Sequence, residues 1–497
     1  MNLLKTRVRT PAHINHWAHE AMELYMPTLL AETKKLLLPD PTFYPSPRAA
    51  QAAPAETLAY VALVNPTPED GRPDAIVVMD TDKSSQSYGR PVGRLDLPYV
   101  GDQLHHFGWN ACSSSLCPYA PHPHVRRRYL VIPALGSSRI YIVDTEFDPA
   151  SPVVVKVIEP QELATRTGYS RPHTVHCGPD GIYISAIGNS EGDAPGGIFV
   201  LDHDTFEPLG AWEIDRGPQR LAYDFRWHLG WDTMVTSEWG TPNSVETGVQ
   251  LDLLLRKEYG RRLHFWDLRS RRHLKSLVLG DDNQMALELR PAHDPTKRFG
   301  FVNVVMNITD LSSSIWVWFH RDGDWQAKKV IEIPAEPADA AHLPPALEAF
   351  GAVPPLVTDI ALSLDDRFLY VSCWGTGELR QYDVSDPFVP RLVSSVHLGG
   401  IVRRSAHPTR PHQPLGGGPQ MIELSRDGKR VYVTNSLYLA WDKQFYPAGM
   451  NGWLAGFDVE PDGGLTPSEF FQDFGDMRPH QVRLKGGDAS SDSFCFP

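Results

Sequence analysis

From residue 57 onward the chain runs in short apolar stretches rich in Val, Ile, Tyr, Phe and Trp, punctuated by Gly, Pro and Asp. Tyr129-Leu-Val-Ile-Pro133, Ser138-Arg-Ile-Tyr-Ile-Val143, Gly181-Ile-Tyr-Ile-Ser185 and Arg430-Val-Tyr-Val-Thr434 are examples, each the length of one strand between turn residues. Helical spacing is confined to two places. One is a leader in which Ile14, Trp17, Ala18, Ala21, Met22 and Tyr25 recur on one face; the other is a possible helix near 249–259. The pattern predicts an all-β body over 41–497 behind a partly helical or flexible leader over 1–40. His13, His16 and His19 share a face of that leader and read as solvated.

A loose repeat selects among all-β architectures. Val357-Thr-Asp-Ile-Ala-Leu-Ser-Leu-Asp-Asp-Arg-Phe-Leu-Tyr-Val-Ser372 and Gln420-Met-Ile-Glu-Leu-Ser-Arg-Asp-Gly-Lys-Arg-Val-Tyr-Val-Thr434 align as strand, turn, strand. Third strands end on Asp80, Asp144, Asp202, Asp267, Asp383 and Asp458, and Ile315-Trp-Val-Trp-Phe319 is the diverged copy. First strands begin near His106, His176, Asp224, Glu288, Asp359, Gln420 and His480, at intervals of 70, 48, 64, 71, 61 and 60 residues. Each interval holds four strands plus loops, so seven starts predict a seven-bladed β-propeller. The last start has almost no chain behind it. Leu58–Val64, Ala75–Met79 and Val92–Leu97 supply its outer strands, so the ring is predicted to close by pairing the two termini in one blade.

In a propeller the first strand of every blade lines the central channel in the same direction, so residues at those starts converge on one mouth. Five of the twenty histidines fall there: His105, His106, His173, His176 and His480. Two adjacent imidazoles serve one metal only at a strand end or turn, which Gly108 beside them permits. His173 and His176 are three apart, a spacing that sends one to the metal and leaves the other as a supporting donor. Imidazole-rich ligation suits copper, zinc, iron or nickel. Asp359 and Glu238 are the candidate carboxylates for orienting imidazoles or accepting protons.

Composition narrows the partners. A formal charge of -13 excludes a nucleic-acid binder of ordinary type, and no apolar run is long enough to span a membrane. Five cysteines in 497 residues do not make a disulfide scaffold, so the reading is a reducing, cytoplasmic setting. Cys177 reads as an inert buried thiol, and Cys112 and Cys117 as a poor zinc pair.

The motifs Leu104-His-His-Phe-Gly-Trp-Asn-Ala-Cys-Ser-Ser114, Ser137-Ser-Arg-Ile-Tyr141, Val157-Ile-Glu-Pro160, His173-Thr-Val-His-Cys177, Ser237-Glu-Trp239, Leu362-Ser-Leu-Asp-Asp-Arg-Phe-Leu-Tyr370, Gly417-Gly-Pro-Gln-Met421, Ser436-Leu-Tyr-Leu-Ala-Trp-Asp-Lys-Gln-Phe-Tyr-Pro447 and Gly486-Gly-Asp488 carry a resemblance. From about residue 40 to the C-terminus the chain resembles the selenium-binding protein family, whose members include copper-dependent methanethiol oxidases. The resemblance implies a seven-bladed propeller and copper held by His105, His106, His176 and His480, with His173 a fifth candidate. It also implies conversion of methanethiol, O2 and water to formaldehyde, hydrogen sulfide and hydrogen peroxide. Two departures stand out. The strand Ala59-Tyr-Val-Ala-Leu-Val64 lacks the thiol of the selenium-binding members, so selenium is not expected there, and the Cys-Ser-Ser-Cys of some relatives is Cys112-Ser-Ser-Ser115 here. The competing reading is a non-catalytic propeller that binds selenium, thiols or a protein partner on its faces. A calcium-dependent lactonase is disfavoured, because calcium takes oxygen ligands.

Overall fold

The computed structural model describes residues 40–497 except 118–121, 123, 179, 409 and 488–491; the leader expected over 1–40 lies outside the described residues but for Asp40. Seven four-stranded sheets form the body, each a meander of antiparallel neighbours from the channel outward. Blade 1 begins with Gly108–Trp109, blade 2 with Tyr169–Cys177, blade 3 with Phe225–His228 and blade 4 with Asn283–Pro291. Blades 5, 6 and 7 begin with Val357–Leu362, Ile422–Leu424 and Arg478–Leu484. These are the strands marked out by the seven sequence starts.

Blade 7 is the closure. Arg478–Leu484 pairs with Leu58–Val64, which continues to Ala75–Asp80 and Pro91–Asp96. Both chain ends thus share one sheet, which leaves no open edge around the ring.

The strands form because their apolar residues fill the wedges between blades. Phe301, Ile315 and Val317 of blade 4 meet Ile360, Leu362 and Leu369 of blade 5 in one cluster, and Tyr60, Ile76 and Val78 of blade 7 meet Leu130, Ile132 and Tyr141 of blade 1 in another. A further cluster covers the channel end where the inner strands start, here called the upper end. It gathers Tyr223, Trp239, Val245, Leu254, Tyr438 and Trp441, partly from the short helices Pro242–Glu246, Leu251–Leu255 and Leu439–Phe445. The helix expected near 249–259 is the second of these, five residues long. Among the described residues no helix is long and apolar enough to cross a membrane.

One reading of the cysteines is corrected. Cys177 is not an inert thiol: it is joined to Cys112 in a disulfide that ties the lower end of the blade 2 inner strand to the segment after the blade 1 inner strand. The single disulfide also runs against a uniformly reducing setting.

Candidate metal centre

His105 and His106 sit in an irregular segment just before Gly108–Trp109, anchored by a bridge between Leu104 and Ala134. The residue that turns the chain is Gln103, with φ of 52°, and not the glycine. Gly108 serves packing instead, since a Cβ there would meet the Val175 carbonyl of blade 2 at 2.8 Å. The result aims both rings into the channel, where their Nδ1 atoms stand 2.7 Å apart.

His173 joins them because the blade 2 inner strand is irregular: its register shifts between Pro172 and Val175. The ligating nitrogens of His105, His106 and His173 all lie within 4.8 Å of one another. His480, from blade 7, completes the group, its ring 3.5 Å from that of His105 and 5.3 Å from that of His106. All four imidazoles are at most 2% exposed.

The outer bonds of these rings decide which nitrogens face inward. His480 Nδ1–H donates to the Ser436 carbonyl at 2.8 Å, and His105 Nε2–H donates to the Leu437 carbonyl at 3.0 Å. Those carbonyls are themselves held by Asp442, which accepts from the Ser436 hydroxyl at 2.6 Å and from the Leu437 N–H at 3.0 Å. His106 Nε2–H donates to Glu288 Oε1 at 3.3 Å. Three protons are therefore spent outward, leaving His105 Nδ1, His106 Nδ1 and His480 Nε2 as inward lone pairs. Neither His480 Nε2 nor His173 Nε2 has a hydrogen-bond partner, although both are buried. Lone pairs facing each other at 2.7 Å repel unless a cation lies between them. A nitrogen spacing of about 3 Å is also what bonds of about 2.0 Å to one ion require. Outward donation to a carbonyl or carboxylate is the usual support of a metal-bound histidine. The donor set thus fits a transition metal that accepts imidazole nitrogen, copper included.

Electrostatics agree with that fit. Burial, reinforced by the neighbouring imidazoles, holds His105, His173 and His480 well below the ordinary histidine pKa, and burial lowers His106 against the opposing bond to Glu288. Neutral rings are the metal-binding form. Glu288 is raised by burial, but Arg290, His106 and Arg226 outweigh this and keep it a carboxylate.

Other expected residues are placed elsewhere. His176 lies one layer further down the channel, its Nδ1 3.2 Å from Arg226 Nη1 and its Nε2 3.8 Å from Asp224. The strand irregularity points both His173 and His176 into the channel but at different depths, and it is His173 that stands with His105 and His106. Asp359 is committed to Arg290 Nη2 at 2.9 Å and to the Ile422 N–H at 2.7 Å, and so staples blade 5 to blade 6. Glu238 turns away from the channel: Oε2 accepts from the Arg261 and Arg262 N–H groups, each at 3.0 Å, and Oε1 meets His264 Nε2 at 2.9 Å. Neither carboxylate reaches the imidazoles, because each is consumed in joining segments of the ring.

Glu288 is the carboxylate that does reach them. It accepts from the Tyr223 hydroxyl at 2.9 Å as well as from His106. The remaining surroundings are aromatic: Tyr223 is 4.4 Å from His173, Tyr438 is 6.0 Å and Trp239 6.5 Å from His105, and Trp441 stands behind Trp239 at 5.8 Å. The expected channel mouth is therefore roofed. Glu288 stood among the sequence starts without a role, and Trp239 lay in the motif that drew attention to Glu238. The carbonyls of Ser436 and Leu437 have no side-chain signature.

The profile of the 56kDa selenium binding protein family matches residues 37–495. A methanethiol oxidase of Xenopus laevis is 38% identical over 90% of this chain and 97% of its own length. Selenium-binding protein 2 of Arabidopsis thaliana is 37% identical over 90% of this chain and 94% of its own length. An X-ray structure of a hypothetical selenium-binding protein from Sulfolobus tokodaii is 59% identical, covers 92% of this chain and 100% of that one, and superposes with a TM-score of 0.90.

Proposed function

The chain belongs to the 56kDa selenium binding protein family, and on that premise we propose that it oxidises methanethiol at a copper ion held by His105, His106, His173 and His480. The overall change balances as methanethiol, O2 and water going to formaldehyde, hydrogen sulfide and hydrogen peroxide. The methyl carbon is oxidised, the carbon–sulfur bond breaks, and O2 takes up two electrons and two protons. One observation carries the reading: inward nitrogens from three blades converge at a buried point with no hydrogen-bond partner for two of them.

Copper, when bound, supplies the electron transfer between thiol and O2 and a soft partner for sulfur. The protein does the rest. Three neutral imidazoles locked by Ser436, Leu437 and Glu288, and a fourth, His173, beside the Thr174 hydroxyl, present lone pairs without rearrangement. The aromatic roof of Tyr223, Trp239, Tyr438 and Trp441 excludes water and offers an apolar place for a methyl group. The Thr174 hydroxyl meets His173 Nδ1 at 2.9 Å, and the Tyr223 hydroxyl, on the ring 4.4 Å from His173, is held toward Glu288 Oε1. Glu288 orients His106 and places one negative charge against the cluster. Entry of even a small thiol requires the roof to move. Cytoplasmic residence is part of the proposal, and alkylation in intact cells tests it: a reduced Cys112/Cys177 pair supports it, and an intact bridge argues for an oxidising compartment.

The test compares two neighbours on one strand. His173→Ala is expected to lose both bound copper and peroxide formation from methanethiol. His176→Gln, one layer below, is expected to keep its copper. Wild-type protein that binds no copper in elemental analysis and yields no peroxide would leave a non-catalytic, thiol- or selenium-binding propeller as the answer.

A further inference from the structure

Four of the five cysteines gather at the lower end of the propeller, far from any role in the imidazole cluster. Two are already the Cys112–Cys177 bridge. The other two, Cys117 and Cys495, stand outside that bridge, and their side chains are in hydrogen-bonding contact. Cys117 is 5% exposed and Cys495 is half-buried. The Cys495 thiol also reaches the Ser113 carbonyl at 3.9 Å, which fixes it beside the segment that carries Cys117.

The contact is held by a built anchor. Asp492 accepts from the Ser113 N–H and hydroxyl, both at 2.8 Å, and from Arg127 Nη2 at 3.1 Å. The Arg127 side chain is completely buried and Asp492 nearly so. Phe494 is 3% exposed and packs with the blade 5 and blade 6 apolar cluster, and the Phe496 N–H donates to the Pro45 carbonyl at 2.9 Å. Residues 492–494 thereby border the cavity at the lower mouth, beside Arg226, Trp227 and His293. The last residues of the chain lie across the channel floor, and the two thiols sit where that tail meets blade 1.

We propose that Cys117 and Cys495 are a second disulfide site, oxidised by peroxide, whose bridge fastens the C-terminal tail over the lower mouth. The half-buried Cys495 meets the oxidant first. Its sulfur attacks hydrogen peroxide, the O–O bond breaks, one water leaves and a sulfenic acid forms. The Cys117 sulfur then attacks that sulfenic sulfur, the S–O bond breaks, a second water leaves and the S–S bond forms. Two thiols lose two electrons and two protons, and one peroxide becomes two waters. The contact with Cys117, and then burial, push the Cys495 pKa up, so its thiolate is scarce at neutral pH. Reaction is accordingly slow, which makes this a structural fastening and not a rapid sensor. The bridge would join positions 378 residues apart, so it constrains nearly the whole unfolded chain. The proposal is independent of whether the protein itself generates peroxide.

The experiment treats full-length protein, freed of reductant, with hydrogen peroxide and follows it by thiol titration and non-reducing peptide mapping. Free thiols are expected to fall from three to one, the survivor being buried Cys373, with a linked peptide containing Cys117 and Cys495. Trimming of the C-terminus by carboxypeptidase should slow on oxidation in wild type but not in Cys495→Ser or Cys117→Ser. Dependence on both single variants guards against misfolding of either one. The proposal fails if Cys117 and Cys495 both remain alkylatable in excess peroxide, if Cys495 proceeds alone to a sulfinic acid, or if Cys117 is found bonded to Cys112 or Cys177.

Discussion

The channel holds two layers of buried polar groups, one above the other, built on opposite principles. In the upper layer four neutral imidazoles point their lone pairs at one another. In the layer below, charges are matched: Arg290 meets Glu288 at 3.0 Å and Asp359 at 2.9 Å, Arg226 lies 3.5 Å from Asp224, and Arg483 meets Glu423 at 3.0 Å. Several of these carboxylates also accept an N–H from the next blade, as Asp224 does from Leu289 and Asp359 from Ile422. The charged groups of the lower layer neutralise one another without any added group and hold the ring together. The upper layer is complete only with a cation. Burial is equal in both, so burial does not identify the site; the convergence of unspent imidazole nitrogens does.

The largest effect should come from breaking the lower layer. Arg290→Met leaves Glu288, Asp359 and Asp224 short of a cation in a dry channel, which should cost about 3–5 kcal/mol of stability. Denaturant unfolding of the metal-free protein reads this directly. If the variant unfolds at the wild-type midpoint, the carboxylates are not held by that guanidinium and the two-layer description is wrong.

Glu288→Gln sits on the seam between the layers and separates their contributions. The amide can still accept from Tyr223 and His106 but no longer carries charge. Loss of this outer support should weaken copper binding by about 10–100-fold, the usual range for such partners. Competition with a copper chelator measures it, and stability of the metal-free protein should change less than in Arg290→Met. Unchanged copper affinity would mean that Glu288 belongs wholly to the structural layer.

How much of this could be read from the chain alone follows from what side chains encode. Strand starts at His106, Asp224, Glu288, Asp359 and His480 were legible because each propeller blade repeats its apolar pattern. That repetition also placed His105, His106, His173 and His480 at one end. The depth of His173 against His176 was not legible, because it depends on a register shift between Pro172 and Val175 that no residue type announces. The choice of Glu288 over Asp359 or Glu238 was hidden for another reason. All three are buried carboxylates, Glu288 and Asp359 on inner strands and Glu238 just past a second strand, and only the packed ring shows which has been used to join segments. The Cys112–Cys177 pairing needs two neighbouring blades side by side, so a separation of 65 residues gives no hint of it.

The effect that vanishes at neutral pH is also the sharpest control, because it concerns a buried imidazole that needs no metal. His228, at the lower end of the blade 3 inner strand, is 6% exposed and stacks on Trp231 at 3.5 Å. Burial, aided by Arg298, lowers its pKa to about 3. Unlike the upper rings, it uses an inward lone pair: Nδ1 accepts from the Gly230 N–H at 3.1 Å. Between its ordinary 6.5 and about 3, the unfolded chain binds a proton that the folded chain does not. Folding stability contributed by this residue is therefore intact above pH 6.5 and falls as pH drops, with a slope of up to about 1.4 kcal/mol per pH unit. His228→Asn keeps an acceptor near Gly230 but cannot titrate. The stability difference between wild type and variant, measured by urea unfolding, should be constant above pH 6.5 and should shift in favour of the variant at pH 5 and 4. Parallel curves across that range would show that His228 is already charged when folded. His228 would then no longer be a buried imidazole that stays neutral without an ion, and the line drawn between it and the upper cluster would disappear.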